Sequence, residues 1–184
     1  MPAAFYLPYL GPARHAHFSI MGWVAALFDD AQACGTTVST DLHDWDGVNP
    51  HHKVFALRAD LVFLSTAALG QRTDSVMRAI VAEGRAQAVI AMAGAHGAYL
   101  LERGSEQVRH FPCAQLDLPV VDSNGAGDSF VAAFLHAWLA GLPLDAAMRR
   151  GAIAGAFACA QQGTHERFIG QAELHDLYQD STSL

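Results

Sequence analysis

The sequence is short of the features that mark several protein classes. Cysteine is scarce, with Cys34, Cys113 and Cys159 alone in 184 residues. They are odd in number and widely spaced, and no two have metal-ligand spacing. A disulfide framework is not indicated, and the expected compartment is reducing, the cytoplasm. The apolar neighbours of Cys34 and Cys159 suggest small core residues. Basic residues are also few: 11 Lys and Arg stand against 18 Asp and Glu, a formal net charge of -7. That balance argues against the basic face of a nucleic-acid binder. Long apolar runs are missing, because Gly, Pro, Asp or His interrupts each one before the roughly 18–20 residues of a membrane helix. The start carries no basic-then-apolar secretory pattern. There is no internal repeat, no low-complexity linker, and no His-x-x-x-His or Glu-x-x-His grouping among the ten histidines.

What is present is a chain with 52% hydrophobic and 16% charged residues. Such a composition folds rather than staying disordered. Its length fits one domain over residues 1–184. Strands and helices alternate, the pattern of a parallel sheet with helical crossovers. Strands are predicted over His15–Ile20, Thr37–Asp41, Leu61–Leu64 and Ala88–Ala93, with a hairpin of Ala98–Leu101 and Gln107–Phe111 around Gly104. A last short strand is predicted to end at Val120 and Val121. Helices are predicted over Trp23–Cys34 (stopped by Gly35), Asp74–Glu83, Ala126–Ala140, Leu144–Gln161 and Ala172–Tyr178. His43 to His52 reads as a polar loop.

The stretch richest in chemistry is Asp122-Ser123-Asn124-Gly125-Ala126-Gly127-Asp128-Ser129-Phe130. A strand is predicted to enter it and an Ala-rich helix to leave it. Small residues at 125–127 let a ligand approach the backbone closely. The first N–H groups of the helix lack intrahelical partners and, with the helix dipole, suit an anion. Asp128, in the first turn, is placed to take a proton from a hydroxyl beside that anion. Ordinary helix capping by Asp128 is the plainer alternative.

This stretch resembles the second signature of the ribokinase-like, or PfkB, carbohydrate kinase family, Asp-Thr-x-Gly-Ala-Gly-Asp-x-Phe, with Ser123 in place of Thr. The resemblance implies a three-layer α/β/α sandwich with a mostly parallel sheet, truncated at its N-terminus. It implies transfer of the ATP γ-phosphate to a sugar or nucleoside hydroxyl. Gly125, Ala126 and Gly127 would form the anion hole, and Asp128 would be the catalytic base. Val89 to Gly97 resembles the family's nucleotide-lining strand and Gly-x-x-Gly turn through Gly94 and Gly97, with Met92 where the family has Thr; His96 lies inside that turn. Gly151 to Gly163 resembles the adenine-side helix and loop, with Ala152 and Gly155 near the base. Asp122, Asn124, Ala158 and Gly163 match positions that hold a monovalent cation such as K⁺, although Gln161 stands where the family often has Arg.

Two departures accompany the match. The family's N-terminal half, with its lid and sugar-gripping groups, has no counterpart before Ala13, so either the reading frame starts late or the chain is a natural remnant. Ser65 and Ala68 occupy the positions of an Asn-x-x-Glu motif that organises Mg²⁺. Asp41, which ends a strand, is a candidate for Mg²⁺-bound phosphate or substrate. The loop from Asp41 to His52 is rich in metal-ligand types, but reads as a solvated strand exit. His51, His52, His165 and His175 read as surface groups, His136 as a helix residue, and Trp23, Trp45 and Trp138 as packing residues. The partners implied are ATP, Mg²⁺ and a small sugar or nucleoside, with no nucleic acid and no membrane. The expected open sheet edge suggests a homodimer or larger assembly. A nucleotide-binding remnant without catalysis, or a subunit completed by another chain, are the alternatives.

Overall fold

The structure is a computed structural model that describes residues 1–164 and 166–182. The chain divides into two compact units, one of Met1–Ala93 with Tyr99–Arg109, the other of Gly94–Ala98 with His110 onward.

The first unit opens with a helix that the sequence does not mark, α1 (Ala3–Leu10). Strands β1 (His15–Phe18), β2 (Thr37–Asp41), β3 (Leu61–Ser65) and β4 (Ala88–Met92) follow, each pairing in parallel with the next. Between them run α2 (Phe28–Cys34), α3 (Pro50–Arg58) and α4 (Thr73–Glu83). β5 (Ala98–Glu102) and β6 (Arg109–Phe111) extend the sheet, giving the order β1-β2-β3-β4-β5-β6. The five residues between β4 and β5 are too few for a parallel crossover, so β5 turns back antiparallel.

A sheet that always steps in one direction through right-handed crossovers places α2, α3 and α4 on one face. Residues two apart share a strand face. Val38, Val62, Leu64, Val89 and Ala91 therefore line the helix side and join the core with Phe28, Phe55, Met77 and Ile80. The Phe28 ring meets those of Phe18 and Phe55 edge-on, with centroids 5.1 and 5.8 Å away. Leu61, Phe63, Ala88 and Ile90, on the opposite face, are buried as well. The Asp60 carboxylate ties β2 to β3, accepting the Val38 N–H at 2.7 Å and the Arg85 Nε–H at 3.0 Å.

In the second unit, α5 (Ala126–Leu139) and α6 (Leu144–Ala158) form a helical hairpin, and α7 (Gln171–Thr182) follows. Ala133, Ile153, Ala154 and Leu174 form its small core with Leu116, Ile169 and Leu177. Gly151 lies where a Cβ would come within 3.0 Å of the Phe130 ring, so α6 settles against α5 through a missing side chain.

Several expectations need correction. The loop predicted to His52 ends at Asn49, whose side chain accepts the His51 N–H, and Pro50 starts α3; both are helix-start devices. The helix expected from Trp23 is a 3-10 turn, Val24–Leu27, before α2. Among the described residues no strand forms at Val120 and Val121, which are exposed; the Val121 N–H donates to the Cys159 carbonyl at 2.8 Å instead. Cys34 is exposed rather than a core residue, because it is the last residue of α2 on its solvent side. Trp23 is also exposed, whereas Trp45 is buried and Trp138 half-buried. His136 lies in α5, and His51 and His175 are exposed, while His52 is half-buried. His165 is outside the described residues.

Candidate active site

The glycine loop is built as the sequence places it, at the start of a long helix. Gly125 is the N-cap of α5 with φ 74°, in the left-handed region. A Cβ there would also press on Thr164 at 3.3 Å, so glycine serves both the conformation and the fit. The Gly125 carbonyl accepts the Ser129 N–H at 2.9 Å, closing the first turn. The Ala126 N–H donates to Ser123 O at 3.3 Å, a long bond at the weak end of the range. Asp128 stands exposed in that first turn.

Asp122 holds the loop from below. Its Oδ1 accepts the Asn124 N–H at 3.0 Å, and its Oδ2 accepts the Gly163 N–H at 3.0 Å and the Asn124 side-chain N–H at 3.3 Å. Hydrogen bonds from Asn124 and Gly163 hold the Asp122 carboxyl below its ordinary range. The Cys159 carbonyl accepts both the Val121 and the Asp122 N–H groups, at 2.8 and 3.1 Å. Asp122, Asn124 and Gly163 are thus brought together beside the end of α6. The Ala158 carbonyl at that helix end accepts the Gln161 N–H at 3.1 Å. The anchoring role of Cys159 was invisible in the sequence, because it is carried by a backbone carbonyl.

The other matched glycines have local structural causes. Gly155 brings α6 against the first turn of α5: a Cβ would meet the Ala126 carbonyl at 3.2 Å. Ala152 is half-buried one turn earlier. Gly94 and His96 lie in a 3-10 turn, Gly94–His96, both exposed. The His96 carbonyl accepts from His110 Nε2 at 2.7 Å. Gly97 has φ 87°, and a Cβ there would fall 2.1 Å from the Phe111 carbonyl oxygen. No other residue fits that position without moving the backbone of residues 111–113.

In the first unit, Asp41 ends β2 and is buried, its Oδ1 accepting the His43 N–H at 2.8 Å. His43 itself has φ 51°, left-handed for a residue with a side chain. The Ser65 hydroxyl is turned into its own loop, where it accepts the Ala67 N–H at 3.1 Å, and Ala68 is exposed. In the loop before α3, Asp46 accepts the Val48 and Asn49 N–H groups, and those bonds hold its carboxyl below the ordinary range. Among the described residues no three His, Cys, Asp or Glu side chains gather as metal ligands, and no helix is long and apolar enough to cross a membrane.

A cluster that the sequence did not reveal lies on β1 and β2. His15 Nδ1 is 2.8 Å from Thr37 Oγ1, and its Nε2 is 2.8 Å from Ser39 Oγ, which is also 2.8 Å from His17 Nδ1. Alternation in two paired strands puts these side chains on one face. Histidines at i and i+2 on an edge strand were its one sequence signal.

Comparison with known proteins adds the family. The description "pfkB family carbohydrate kinase" matches residues 51–168. The chain is 46% identical over 175 residues to acarbose 7(IV)-phosphotransferase of Actinoplanes sp., covering 94% of this chain and 58% of that protein. A solved structure of a microbiome-derived acarbose kinase superposes with a TM-score of 0.91 at 44% identity, over 97% of this chain and 60% of that one. Ribokinase of Arabidopsis thaliana, solved with ribose and ATP, shares the fold at a TM-score of 0.82 and 18% identity, over 94% and 58%. The chain therefore spans less than two thirds of the length of these proteins. It has the ribokinase-like α/β fold and belongs to the pfkB family of carbohydrate kinases.

Proposed function

We propose that the chain carries the phosphate-binding and proton-accepting part of an ATP-dependent kinase that phosphorylates a hydroxyl of a sugar or nucleoside. The observation that carries this reading is the left-handed Gly125 at the head of α5, with Asp128 in the first turn after it. The amides of Gly125, Ala126 and Gly127 hold charge on the transferred phosphate; the long Ala126 bond to Ser123 yields readily to an anion. Asp128 takes the proton of the acceptor hydroxyl as its oxygen attacks the γ-phosphorus, and ADP leaves. Phosphoryl transfer depends mostly on such positioning and charge stabilisation. Gly94, His96, Gly97, Ala152 and Gly155 border the nucleotide.

Mg²⁺ is a hard ion that takes oxygen ligands and keeps several waters. Asp41, a buried carboxylate at a strand end, fits as one such donor or as a substrate contact. Bound with the nucleotide, Mg²⁺ would neutralise phosphate charge. The carbonyls of Asp122, Asn124, Ala158 and Gly163 fit a monovalent cation such as K⁺. Of the possible acceptors, the similarity to proteins named for acarbose favours an acarbose-like oligosaccharide as the first to try. The cytoplasm suits three free thiols.

The test is ADP release from Mg-ATP with a panel of acarbose, simple sugars and nucleosides, comparing the native chain with Asp128→Ala. Acceptor-dependent release that falls by about 10²–10⁴-fold in the variant supports the reading. No release above the variant's background, from folded protein, sinks it. One observation favours a second reading, nucleotide binding without transfer: the Ser65 hydroxyl is engaged with Ala67 at a position where the family motif carries Asn. That reading predicts ATP or ADP binding by calorimetry with no turnover.

A further inference from the structure

The loop after β2 carries a residue in a conformation that its type disfavours. Among the described residues, His43 is the one non-glycine with a positive φ, 51°. Such a φ is uncommon for a residue with a Cβ and persists only where the surroundings enforce it. Here both backbone groups of His43 are engaged. Its N–H donates to Asp41 Oδ1 at 2.8 Å, and its carbonyl accepts the Ser65 N–H at 2.6 Å. The neighbours are anchored too. Leu42 is buried and donates its N–H to the Phe63 carbonyl at 2.8 Å. Trp45 is buried, and its indole N–H donates to the Asn49 carbonyl at 3.1 Å. His43 itself is exposed, and among the described residues no hydrogen bond engages its imidazole. A backbone fixed from both sides thus holds out a side chain with both ring nitrogens open.

We propose that His43 binds the sugar acceptor, its imidazole hydrogen-bonding a hydroxyl of that molecule. In open α/β sheets ligands bind outside the carboxyl ends of the strands. His43 stands at that end, in the loop that follows β2, and its carbonyl is bonded to the last residue of β3. Residues held in disfavoured backbone conformations cluster at ligand clamps. Local charge selects the ligand. Asp41, Asp44 and Asp46 accompany His43 in this short stretch. Ionised carboxylates are acceptors only, so they repel a phosphate and suit the hydroxyls of an uncharged sugar. A neutral imidazole donates to a hydroxyl through one nitrogen and accepts from one through the other. Glycine would hold the same turn without strain, and asparagine with little; what histidine adds is the ring. The identity of the ligand rests on the kinase reading, whereas the binding itself needs no transfer.

The test combines NMR with kinetics on the full chain. Acarbose and the simple sugars of the panel are titrated into native protein while the imidazole Hε1 resonance of His43, assigned by its loss in His43→Asn, is followed. One of these sugars is expected to move it, and Mg-ATP alone is not. In ADP release, His43→Asn and His43→Gly are expected to raise the acceptor KM about tenfold, the loss of one hydrogen bond to the ligand. The KM for Mg-ATP and kcat stay as in the native chain. Both variants unfold at the native temperature or above it, because their backbones accept the left-handed φ. A resonance that no sugar moves overturns the proposal, whether or not ADP is released. So does a response to Mg-ATP alone, which assigns the ring to the nucleotide. Native acceptor KM in variants of lowered Tm also overturns it and leaves His43 a structural role. A sugar that moves the resonance without any ADP release sinks the kinase reading and upholds the binding role of His43.

Discussion

The carboxylate of Asp122 accepts the backbone N–H of Gly163 at 3.0 Å across 41 residues of sequence. With its other oxygen on Asn124, this one side chain couples the glycine loop before α5 to the loop after α6. Asp122→Ala removes both acceptors and frees the two loops from each other. The expected result is ATP affinity weaker by about tenfold, with the helices intact by circular dichroism. Unchanged affinity in titration calorimetry would show that the loops hold their places without it. The pH sign follows from the lowered carboxyl. Its contribution is complete above the ordinary carboxylate range and is lost as pH falls through the lower, folded value.

Gly97 and Gly94 lie in one turn but differ in what surrounds them. A Cβ at 97 meets the Phe111 carbonyl at 2.1 Å, while at 94 nothing lies within 4 Å. Gly97→Ala is expected to cost more than about 2 kcal/mol, Gly94→Ala about 1 kcal/mol from its positive φ alone. Urea unfolding of the two variants checks the order, and equal midpoints would contradict it.

Gly155→Val inserts a branched side chain where α6 meets the Ala126 carbonyl. It is expected to push the helix from the first turn of α5 and destabilise the second unit by about 1–3 kcal/mol. Asp128-dependent turnover should fall with it. A variant of native stability and full ADP release would mean that the helices have room there.

His15 is held neutral. Thr37 donates its hydroxyl to the Arg14 carbonyl at 3.1 Å, so it accepts from His15 Nδ1, and His15 Nε2 in turn accepts from Ser39. Burial first, then the neighbouring His17, pulls the imidazole pKa down to about 4, against a smaller opposing effect of Asp60. The unfolded chain therefore binds the proton more readily, and stability falls as pH drops from about 6.5 toward 4. With the ring only half buried, solvent screening limits the effect to about 1 kcal/mol, or about 2–4 °C in Tm. His15→Gln should flatten that part of the Tm–pH curve.

The cysteines should separate by reactivity. Cys34 is exposed, whereas burial, with smaller contributions from Cys113 and Asp122, pushes the Cys159 thiol up. A disulfide reagent at neutral pH should label Cys34 first and Cys159 last, as read by mass spectrometry. Cys159 reacting before Cys34 would show the end of α6 to be open.

The sheet was legible because buried parallel strands write themselves as short continuous apolar runs, as in Leu61–Leu64 and Ala88–Met92. The glycine loop was legible because a left-handed helix start next to a ligand permits few residues besides glycine. Helix α3 was not: its start is polar, with His51, His52 and Lys53 behind Asn49 and Pro50, and it conceals Phe55 and Ala56 as its buried residues. Val120 and Val121 misled for the opposite reason, since β-branched residues favour strands but here both lie in solvent, and Val121 bonds to a helix end. Nor did residue types disclose the Asp122–Gly163 link or the His15–Ser39–His17 chain. Both are tertiary, joining segments whose proximity is decided by the packing of helices and the register of strands.

Each of the first four strands pairs with the strand that follows it in sequence. Among these four strands, each pairing joins neighbours in sequence. Loop closure between successive strands spans one helix at a time, which keeps the entropic barrier to each step low. As the chain leaves the ribosome, β2 emerges to find β1 already waiting, then β3 finds β2. The first unit can zip up in the order in which it is made.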